Sequence, residues 1–532
     1  GHSRFFTDRK DILTTLHTHF TSVQAFPQTR TLALSGLAGS GKTQIAVEYA
    51  HLYKHEYQAT LWLEATSRNS LSKAIAPLAE LLSFRAQDRV DEEHLFNAVK
   101  CWLQQQEQWL LIIDDLRDFQ LMDLFIPSRS SGHVLLTTHS QATGDLAHLV
   151  PVAQMTMKDS VLFLLRRAKT IEEQASLNEA SETDRAQATA IVQEFEGWTL
   201  ALDQAGAYIE ETGCDLAGYL KLYREQGATL LTERGQFARA HPDSVVRTLS
   251  LLFKEAAQEY PGTLDLLRLC AFLHPDAIPC EMIEQGALAL DRPLRVLAAE
   301  AGTLYKFIAT LRKFSLIQRR TDTTVLSIHR VVQAILKEEL MPKQRHQWAI
   351  QAVRLMNRAF PDAEFSNWPT CEKYFSQARR CDELITEFQL KQKEAADLLQ
   401  RLGSYCYQRA HYQEAETYLA TALQMYKQGN RSDQSAISLT LNDLGLLYHR
   451  QGKYQVAEEH YLHARAIREE VAESDPSSIV QTLNNLGLLY KDWGKYHQAE
   501  ELYQRILSID GRTVGPDHLD TATYLCNLAQ VY

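Results

Sequence analysis

The chain has 532 residues, of which 45% are hydrophobic and 23% are charged, as in folded globular proteins. At about 150 residues per domain, this length predicts three or four domains. The net charge of −11 argues against broad nucleic-acid binding, which requires Lys and Arg to neutralise phosphates. The cysteines show no metal-ligand spacing, and neither a bilayer-spanning apolar run nor a signal-peptide pattern is present. We therefore expect a cytoplasmic protein with reduced thiols and no membrane partner.

Residues 31–153 alternate short apolar runs with stretches of helical periodicity. This alternation is typical of a parallel sheet covered by helices. The segments 44–53 and 94–105 have apolar residues at helical spacing and are predicted to be covering helices. The predicted strands are Thr31–Ser35, Ala59–Glu64, Trp109–Asp114, His133–Thr138 and Leu149–Val152.

The segment GLAGSGKT, residues 36–43, follows the first predicted strand and leads into a predicted helix. Its GxxxxGKT spacing lets backbone amides turn towards phosphate oxygens, and the helix N-terminus faces the same anion. Lys42 would reach the β and γ phosphates, and the Thr43 hydroxyl would bind magnesium. We therefore predict a P-loop that binds ADP or ATP with magnesium through Gly36, Ala38, Gly39, Ser40, Gly41, Lys42, Thr43 and Gln44.

An acidic pair ends the apolar strand WLLIIDDL about seventy residues after this loop. Asp114 is predicted to hold magnesium together with Thr43, and Asp115 to act as the catalytic group that polarises water. The strand HVLLTTHS ends in further hydroxyls, of which we assign Thr138 to the nucleotide site as a sensor of the γ phosphate. These features indicate an ATPase that uses a carboxylate for hydrolysis.

After the sheet domain, 1–153, the pattern becomes mostly helical. We predict a helical subdomain at 154–241. In 242–341, short helices precede two β-prone runs around the polar turn at 321–324, which suggests a winged helix. Such a domain either reads DNA or serves as a packing module, and the acidic composition favours packing. Residues 342–395 are predicted to form a helical arm.

The last 135 or so residues repeat a helix-hairpin unit with a period of 42 residues. Glycine recurs at 403, 445 and 487, and alanine follows each glycine at 415, 457 and 499, where two helices cross closely. Residues 396–532 are therefore predicted to form a solenoid that resembles the tetratricopeptide family and stops partway through a repeat. We expect both natural ends of the protein to extend further.

One position recurs two residues before the glycine or alanine that anchors each later repeat, on the predicted inner helices. It is occupied by Asp443, Asn485 and Asn527. These side chains either hydrogen-bond an extended peptide or simply face solvent, and both interpretations stay open.

Together these motifs resemble the NB-ARC branch of the STAND ATPases, which includes plant disease-resistance proteins and the apoptosome scaffold. FFTDRKDIL resembles the family's FxGR lead-in, which implies that Phe6 and Arg9 lie near adenine although Asp8 replaces glycine. GWTLA resembles GLPLA and implies that Thr199, in place of proline, and Leu200 lie near the base.

Two further motifs depart from the family pattern. His139 stands where the family's TTR motif has an arginine that senses the γ phosphate. SIHRVV resembles the winged-helix signature, which implies that His329 contacts the β phosphate of ADP, although Arg330 replaces the usual aspartate.

The resemblance implies a multidomain α/β plus α fold: a P-loop nucleotide-binding domain, a helical subdomain, a winged helix, a helical arm and a tetratricopeptide solenoid. It also implies a slow ATPase that acts as a signalling switch. ADP would hold a closed monomer, a protein or peptide trigger on the repeats would permit exchange for ATP, and self-association would activate an output domain. The alternatives are a tetratricopeptide adaptor with a structural, non-hydrolysing nucleotide site and a STAND-type transcription regulator.

Overall fold

The structure is a computed structural model that describes residues 5–7, 9–22, 30–66, 68–81, 92–127, 131–141, 143–232, 244–300, 302–319, 324–428, 434–471, 479–513 and 519–532. The chain divides into two compact units. Unit 1 contains residues 1–271, 275–277 and 302–341, and unit 2 contains residues 272–274, 278–301 and 342–532.

The first part of unit 1 is a parallel α/β sheet with covering helices. Its elements are α1 (Lys10–Thr21), β1 (Arg30–Ser35), α2 (Lys42–Leu52), β2 (Ala59–Glu64), α3 (Arg68–Leu81), α4 (Glu92–Gln105), β3 (Trp109–Asp114), α5 (Met122–Phe125), β4 (His133–Thr138) and β5 (His148–Pro151). The five strands lie in the order β2-β3-β4-β1-β5 and pair in parallel. The predicted fold class is confirmed here, with strand bounds that differ by at most one residue.

The sheet topology places the phosphate-binding loop and the acidic pair at one edge. β4 lies between β1 and β3 in the sheet, although it follows both in the chain. Because all three strands are parallel, their carboxyl ends meet at the same edge, and the loop after β1 approaches Asp114 at the end of β3.

Side chains of β3 alternate between two hydrophobic cores. Leu111 and Ile113 pack into the core that contains Leu103 and Phe125, whereas Leu110 and Ile112 pack into the core that contains Tyr49. A central strand buried on both faces reads as a continuous apolar run, which explains the sequence WLLII before the first aspartate.

Four helices follow the sheet: α6 (Met157–Arg167), α7 (Glu182–Phe195), α8 (Thr199–Thr212) and α9 (Leu216–Gln226). The next elements are α10 (Val245–Glu259), α11 (Thr263–Phe272), β6 (Ile278–Pro279), α12 (Cys280–Gly286), α13 (Val296–Ala299), α14 (Thr303–Lys313), β7 (Gln318–Arg319), β8 (Val325–Ser327) and α15 (Arg330–Glu339). β7 and β8 pair antiparallel, as the two β-prone runs predicted. The predicted turn between them lies outside the described residues except for Thr324.

The segment predicted as one winged-helix domain, 242–341, is divided between the two units. α10, α14, β7, β8 and α15 lie in unit 1, whereas residues 278–301 lie in unit 2. Within unit 2, α12 packs closely on α16, so that a Cβ at Gly286 would stand 2.6 Å from the Leu355 carbonyl oxygen. The sequence pattern did not reveal this division.

The remaining helices of unit 2 run from α16 to α24. They are α16 (Pro342–Ala359), α17 (Trp368–Glu387), α18 (Lys393–Gln408), α19 (Tyr412–Gln428), α20 (Gln434–Arg450), α21 (Tyr454–Val471), α22 (Val480–Asp492), α23 (Tyr496–Thr513) and α24 (Leu519–Ala529). The helices from α18 onwards form the predicted hairpin repeats. The recurring glycines sit where paired helices touch: a Cβ at Gly445 would lie 2.5 Å from the Tyr461 ring. None of the helices in the described ranges is long and apolar enough to cross a membrane.

Candidate nucleotide-binding site

The P-loop joins β1 to α2 through backbone conformations that favour glycine. Gly39 has φ = 73°, and Gly41, the residue before the first turn of α2, has φ = 92°. The start of α8 docks on this loop, since Leu200 N donates to Gly39 O at 3.0 Å and the Trp198 indole donates to Ala38 O at 2.8 Å. A Cβ at Gly39 would lie 2.4 Å from the Leu200 Cβ, so this docking requires glycine.

Lys42 is buried and curls back over the P-loop. Its Nζ donates to the carbonyl oxygens of Gly36 at 2.8 Å and Leu37 at 3.0 Å. Burial lowers the pKa of Lys42 to about 8, while the nearby carboxylates of Asp115 and Asp114 act in the opposite direction. A polyanion bound at this loop would supply the negative charge that a buried ammonium group needs.

Asp114, at the carboxyl end of β3, accepts hydrogen bonds from two hydroxyl groups. Its Oδ1 accepts hydrogen bonds from Thr43 Oγ1 at 2.8 Å and from Thr137 Oγ1 at 2.6 Å. Oxygen ligands from one carboxylate and one hydroxyl suit Mg²⁺, which usually completes its shell with waters and phosphate oxygens. Thr43 and Asp114 therefore fit the predicted magnesium site. The described residues contain no cluster of three or more His, Cys, Asp or Glu side chains placed to hold a metal.

The hydroxyl that faces this site belongs to Thr137, whereas Thr138 was predicted. Thr138 Oγ1 donates to the Leu116 carbonyl oxygen at 2.7 Å and also accepts from Ser140 N. Successive side chains of a strand point to opposite faces, so only one of the two threonines turns towards Asp114. The structure therefore does not support Thr138 as a nucleotide contact and places Thr137 there.

Asp115 is held in an ionic network beside the P-loop. Its Oδ1 lies 3.3 Å from His139 Nε2, and its Oδ2 accepts from Arg117 Nη2 at 3.2 Å. Burial alone would raise the pKa of Asp115, but His139 and Arg117 outweigh it and the pKa is lowered. Arg117 Nη1 also donates to Glu255 Oε1 of α10 at 2.6 Å. The backbone of Asp115 is left-handed, with φ = 52°, an uncommon conformation for a residue other than glycine.

A cavity of about 560 Å³ opens beside these groups within unit 1. Most of the predicted nucleotide contacts line it, namely Phe6, Arg9, Ala38, Gly39, Ser40, Gly41, Lys42, Thr43, Gln44, Asp114, Thr199 and Leu200, together with Asp115. Gly36 is not part of the lining and serves instead as a carbonyl acceptor for Lys42.

Several polar atoms that line this cavity are buried without a hydrogen-bond partner among the described residues. They are Ser40 Oγ, Gln44 Oε1, Thr199 Oγ1 and Glu255 Oε2. Buried polar atoms are normally paired, so their convergence on one cavity is expected where a polar ligand supplies the partners. The volume is in the range of small-molecule sites. The cavity therefore fits a nucleotide.

The helix α10 contributes residues to the cavity that sequence reasoning missed. Thr248, Leu251, Leu252 and Glu255 all lie in the lining. The sequence marks α10 as an amphipathic helix but carries no motif that would connect it to a loop two hundred residues earlier. Phe5, Arg117, Thr137 and His139 also line the cavity.

Arg9 connects the N-terminal lead-in to the P-loop. Its guanidinium donates to the Ala153 carbonyl oxygen at 2.8 Å and lies 3.5 Å from the Ser40 carbonyl oxygen. Phe6, in the same lead-in, is half-buried and lines the cavity. Asp8 lies outside the described residues.

His329 lies outside the cavity lining and packs on Trp198, which immediately precedes α8. Its ring centroid lies 5.4 Å from that of Trp198, and its Nε2 lies 3.7 Å from Glu196 Oε2. Burial and, less strongly, Arg330 lower the pKa of His329 to about 4, so the imidazole is neutral at pH 7. Trp198, on which His329 packs, donates from its indole to the Ala38 carbonyl oxygen of the P-loop. Direct contact of His329 with a β phosphate therefore stays a prediction.

The recurring polar residues of the repeats bond to the preceding repeat. Asp443 Oδ2 accepts from Gln400 Nε2 at 2.6 Å and Ser404 Oγ at 2.7 Å. Asn485 donates to Asn442 Oδ1 at 3.2 Å, and Asn527 donates to Asn484 Oδ1 at 3.1 Å. Asn485 is only 8% exposed, which leaves little of it for a peptide. Peptide binding by these residues remains a prediction, and their visible role is to join neighbouring repeats.

Comparison with known protein families identifies three regions. Residues 15–166 match the NB-ARC domain, and residues 394–470 and 478–532 match the tetratricopeptide repeat. Residues 255–345 match a domain of unknown function, DUF7779. This last match includes α14, β7, β8 and α15 and thus much of the segment predicted as a winged helix.

Individual relatives are distant. A nucleotide-binding leucine-rich repeat (NLR)-like protein from Hyaloscypha variabilis is 24% identical over 466 residues, which cover 80% of this chain and 44% of the relative. The chain thus spans less than half the length of that protein. Similar solved structures include the STAND protein with a tetratricopeptide repeat sensor, PH0952, from Pyrococcus horikoshii (14% identity, 100% of this chain, 81% of that chain, TM-score 0.27) and Cdc6p from Pyrobaculum aerophilum (15%, 62%, 93%, TM-score 0.29).

The P-loop, the sheet order and the family matches define a nucleotide-binding protein with a repeat domain. The chain contains a region that matches the NB-ARC domain, followed by C-terminal tetratricopeptide repeats, as its motifs predicted. The NB-ARC match supports nucleotide binding by this part of the chain.

Proposed function

We propose that this protein is a nucleotide-dependent signalling switch that rests with ADP and is activated by exchange for ATP. The observation that carries the proposal is the composition of the cavity wall. The P-loop, α8 and α10 all contribute to it, although they come from the sheet, the helical subdomain and the segment predicted as a winged helix. A nucleotide bound there would contact all three segments at once, and its loss would remove contacts from each.

A switch requires a ligand that binds its two states with different affinity. Moving an equilibrium from 1:99 to 99:1 takes about 5.5 kcal/mol of differential binding, and a ligand that binds both states equally moves nothing. Contacts from α8 and α10 are suited to supply part of this difference because they are not part of the phosphate-binding loop itself. His329 would act indirectly, since it packs on Trp198, which bonds to Ala38 of the loop.

In the resting state, Lys42 and the amides of the P-loop would hold the phosphates, Thr43 and Asp114 would hold magnesium, and Phe6, Thr199 and Leu200 would lie near the base. Magnesium, when bound, would neutralise phosphate charge. Asp115 would orient the attacking water. Because His139 and Arg117 lower the pKa of Asp115, it is a weak proton acceptor, which favours slow hydrolysis.

The central test is the identity of the ligand that the purified protein carries. Mass spectrometry of the molecules released on denaturation is expected to find ADP. Titration calorimetry with ADP and with a non-hydrolysable ATP analogue is expected to show binding of both. A folded protein that neither releases a nucleotide nor binds one in calorimetry contradicts the proposal.

The second candidate is a tetratricopeptide adaptor with a structural, non-hydrolysing nucleotide site. It is favoured by one observation, the engagement of both Asp115 oxygens by His139 and Arg117. Hydrolysis by the wild type and by Asp115→Ala separates the two functions. A switch loses at least about tenfold in rate, or about 1.4 kcal/mol of transition-state stabilisation. Equal rates favour the adaptor.

We further propose that the repeats bind a protein or peptide trigger and that the ATP-bound protein self-associates to activate an output domain. The tetratricopeptide match supports the first part, because such solenoids present extended binding surfaces. Sedimentation with ADP and with the ATP analogue tests the second part. A mass that is the same with both nucleotides, in the presence of a trigger that binds the repeats, contradicts it.

A further inference from the structure

Arg117 occupies an unusual position at the cavity wall. It follows the acidic pair by two residues, lines the cavity, and bridges two carboxylates from distant parts of unit 1. One is Asp115 at the end of β3, with Oδ2 3.2 Å from Nη2, and the other is Glu255 on α10, with Oε1 2.6 Å from Nη1. A guanidinium group has a planar set of donors that suits carboxylate and phosphate oxygens equally well.

Glu255 is a replaceable partner for this guanidinium group. Its Oε2 is buried without a hydrogen-bond partner among the described residues, and the side chain lines the cavity. A carboxylate that faces a phosphate-binding cavity repels an incoming anion unless a cation lies between them. Arg117 is that cation. An additional phosphate beyond the β position would compete with Glu255 for Arg117.

The adjacent histidine does not take this role. His139 stands at the end of β4, where its two ring nitrogens are directed to Asp115, at 3.3 Å, and towards Lys42 Nζ, at 3.5 Å. Arg117, just after the end of β3, is therefore a permanently charged side chain in the cavity lining, as Arg9 of the lead-in also is.

We propose that Arg117 distinguishes a nucleoside triphosphate from a diphosphate by exchanging Glu255 for the terminal phosphate, which releases α10. This inference rests on the proposed function, because it assumes that the cavity binds both nucleotides. Arg117 is then the specificity-determining residue for phosphate number, and Glu255 is its partner in the diphosphate state. The exchange gives α10 different contacts in the two states.

The test measures the dissociation constants of ADP and of a non-hydrolysable ATP analogue, each with magnesium, by calorimetry on the full chain. Glu255→Gln removes the competing charge and is expected to tighten analogue binding about tenfold relative to ADP. Arg117→Gln is expected to weaken analogue binding about tenfold with ADP changed less than about twofold. The matched control is Glu259→Gln, one turn further along α10, where the carboxylate pairs with Lys313 at 2.9 Å and lies outside the cavity lining. It is expected to change neither constant.

The double variant Arg117→Gln with Glu255→Gln separates this role from a general effect on folding. If Glu255 acts by competing for Arg117, its substitution changes nothing once Arg117 is absent, so the two effects are not additive. Additive effects, or an unchanged ADP-to-analogue ratio in both single variants, overturn the inference while leaving the nucleotide switch intact. A folded wild type that binds neither nucleotide overturns both.

Discussion

The two units place polar groups in opposite ways. In unit 1, buried polar atoms without partners converge on one cavity, next to a lysine whose pKa is lowered by burial and to an aspartate in a left-handed conformation. In unit 2, the recurring polar residues of the repeats bond across neighbouring hairpins, as Asn485 donates to Asn442 Oδ1, although Asn442 Nδ2 is itself buried without a hydrogen-bond partner among the described residues. The unpaired polar atoms in unit 1 can form hydrogen bonds with a ligand. The hydrogen bonds in unit 2 instead hold neighbouring repeats together.

The largest effect that would sharpen this comparison is expected at Lys42. Lys42→Ala removes the only lysine that lines the described cavity, so affinity for ADP should fall about a hundredfold to a thousandfold, or about 3 to 4 kcal/mol. Calorimetry measures the loss. Lys313→Ala is the control, because that lysine pairs with Glu259 outside the cavity lining and should leave the affinity unchanged. Wild-type affinity in Lys42→Ala would mean that the cavity is not a phosphate site.

The docking of α8 on the P-loop gives the next effect. Gly39→Ala combines a positive φ with a Cβ that would lie 2.4 Å from Leu200, so we expect a loss of about 3 kcal/mol in the free energy of unfolding of this region. Gly213→Ala is the matched control at the other end of α8, where φ is 67° and a Cβ meets nothing within 4 Å. It should cost about 1 kcal/mol. Calorimetric unfolding compares them, and equal losses would show that close packing adds nothing at Gly39.

Two adjacent threonines give a smaller and more selective effect. Thr137→Val removes a donor to Asp114 and should weaken magnesium-dependent nucleotide binding about tenfold, or about 1.4 kcal/mol. Thr138→Val removes a hydrogen bond to Leu116 O within the core and should cost about 1 to 2 kcal/mol of stability with little change in nucleotide affinity. Calorimetric binding and thermal unfolding, measured on both variants, distinguish the roles. The reverse pattern would restore Thr138 as the nucleotide contact.

The smallest effect is expected in the repeats and depends on pH. Burial raises the pKa of Asp443 from 3.8 to about 6, so the native state keeps a proton that the unfolded state has lost between these values. The contribution of Asp443 to the free energy of unfolding therefore decreases as pH rises from about 4 to 6 and stays reduced above pH 6. Both donors reach the same oxygen, Oδ2, which an amide can replace.

Asp443→Asn should accordingly stabilise the repeats by about 1 to 2 kcal/mol at pH 7.5 and by less at pH 5. Differential scanning calorimetry of the full chain at both pH values provides the measurement. A variant that is less stable than the wild type at pH 7.5 would show that the carboxylate is needed in its charged form. Unit 2 would then resemble unit 1 in containing a buried charged group.

Local patterns in the sequence determined much of this protein. Short apolar runs specified the strands, the glycine and lysine spacing specified the P-loop, and the 42-residue period specified the hairpins. Each of these signals arises from residues that are close in the chain, and backbone geometry converts their spacing directly into a shared face or turn. For the same reason Asp114 and Thr43 could be assigned to one site, since parallel strands must end together.

The tertiary structure decided what local spacing cannot express. It selected Thr137 over Thr138, packed His329 on Trp198, divided the predicted winged-helix segment between two units, and brought Glu255 to Arg117 across more than a hundred residues. Contacts of this kind depend on which faces of separate helices pack together. The side chains along one helix determine whether each of its faces is apolar or charged. Which other element packs on that face is determined only when the whole unit folds.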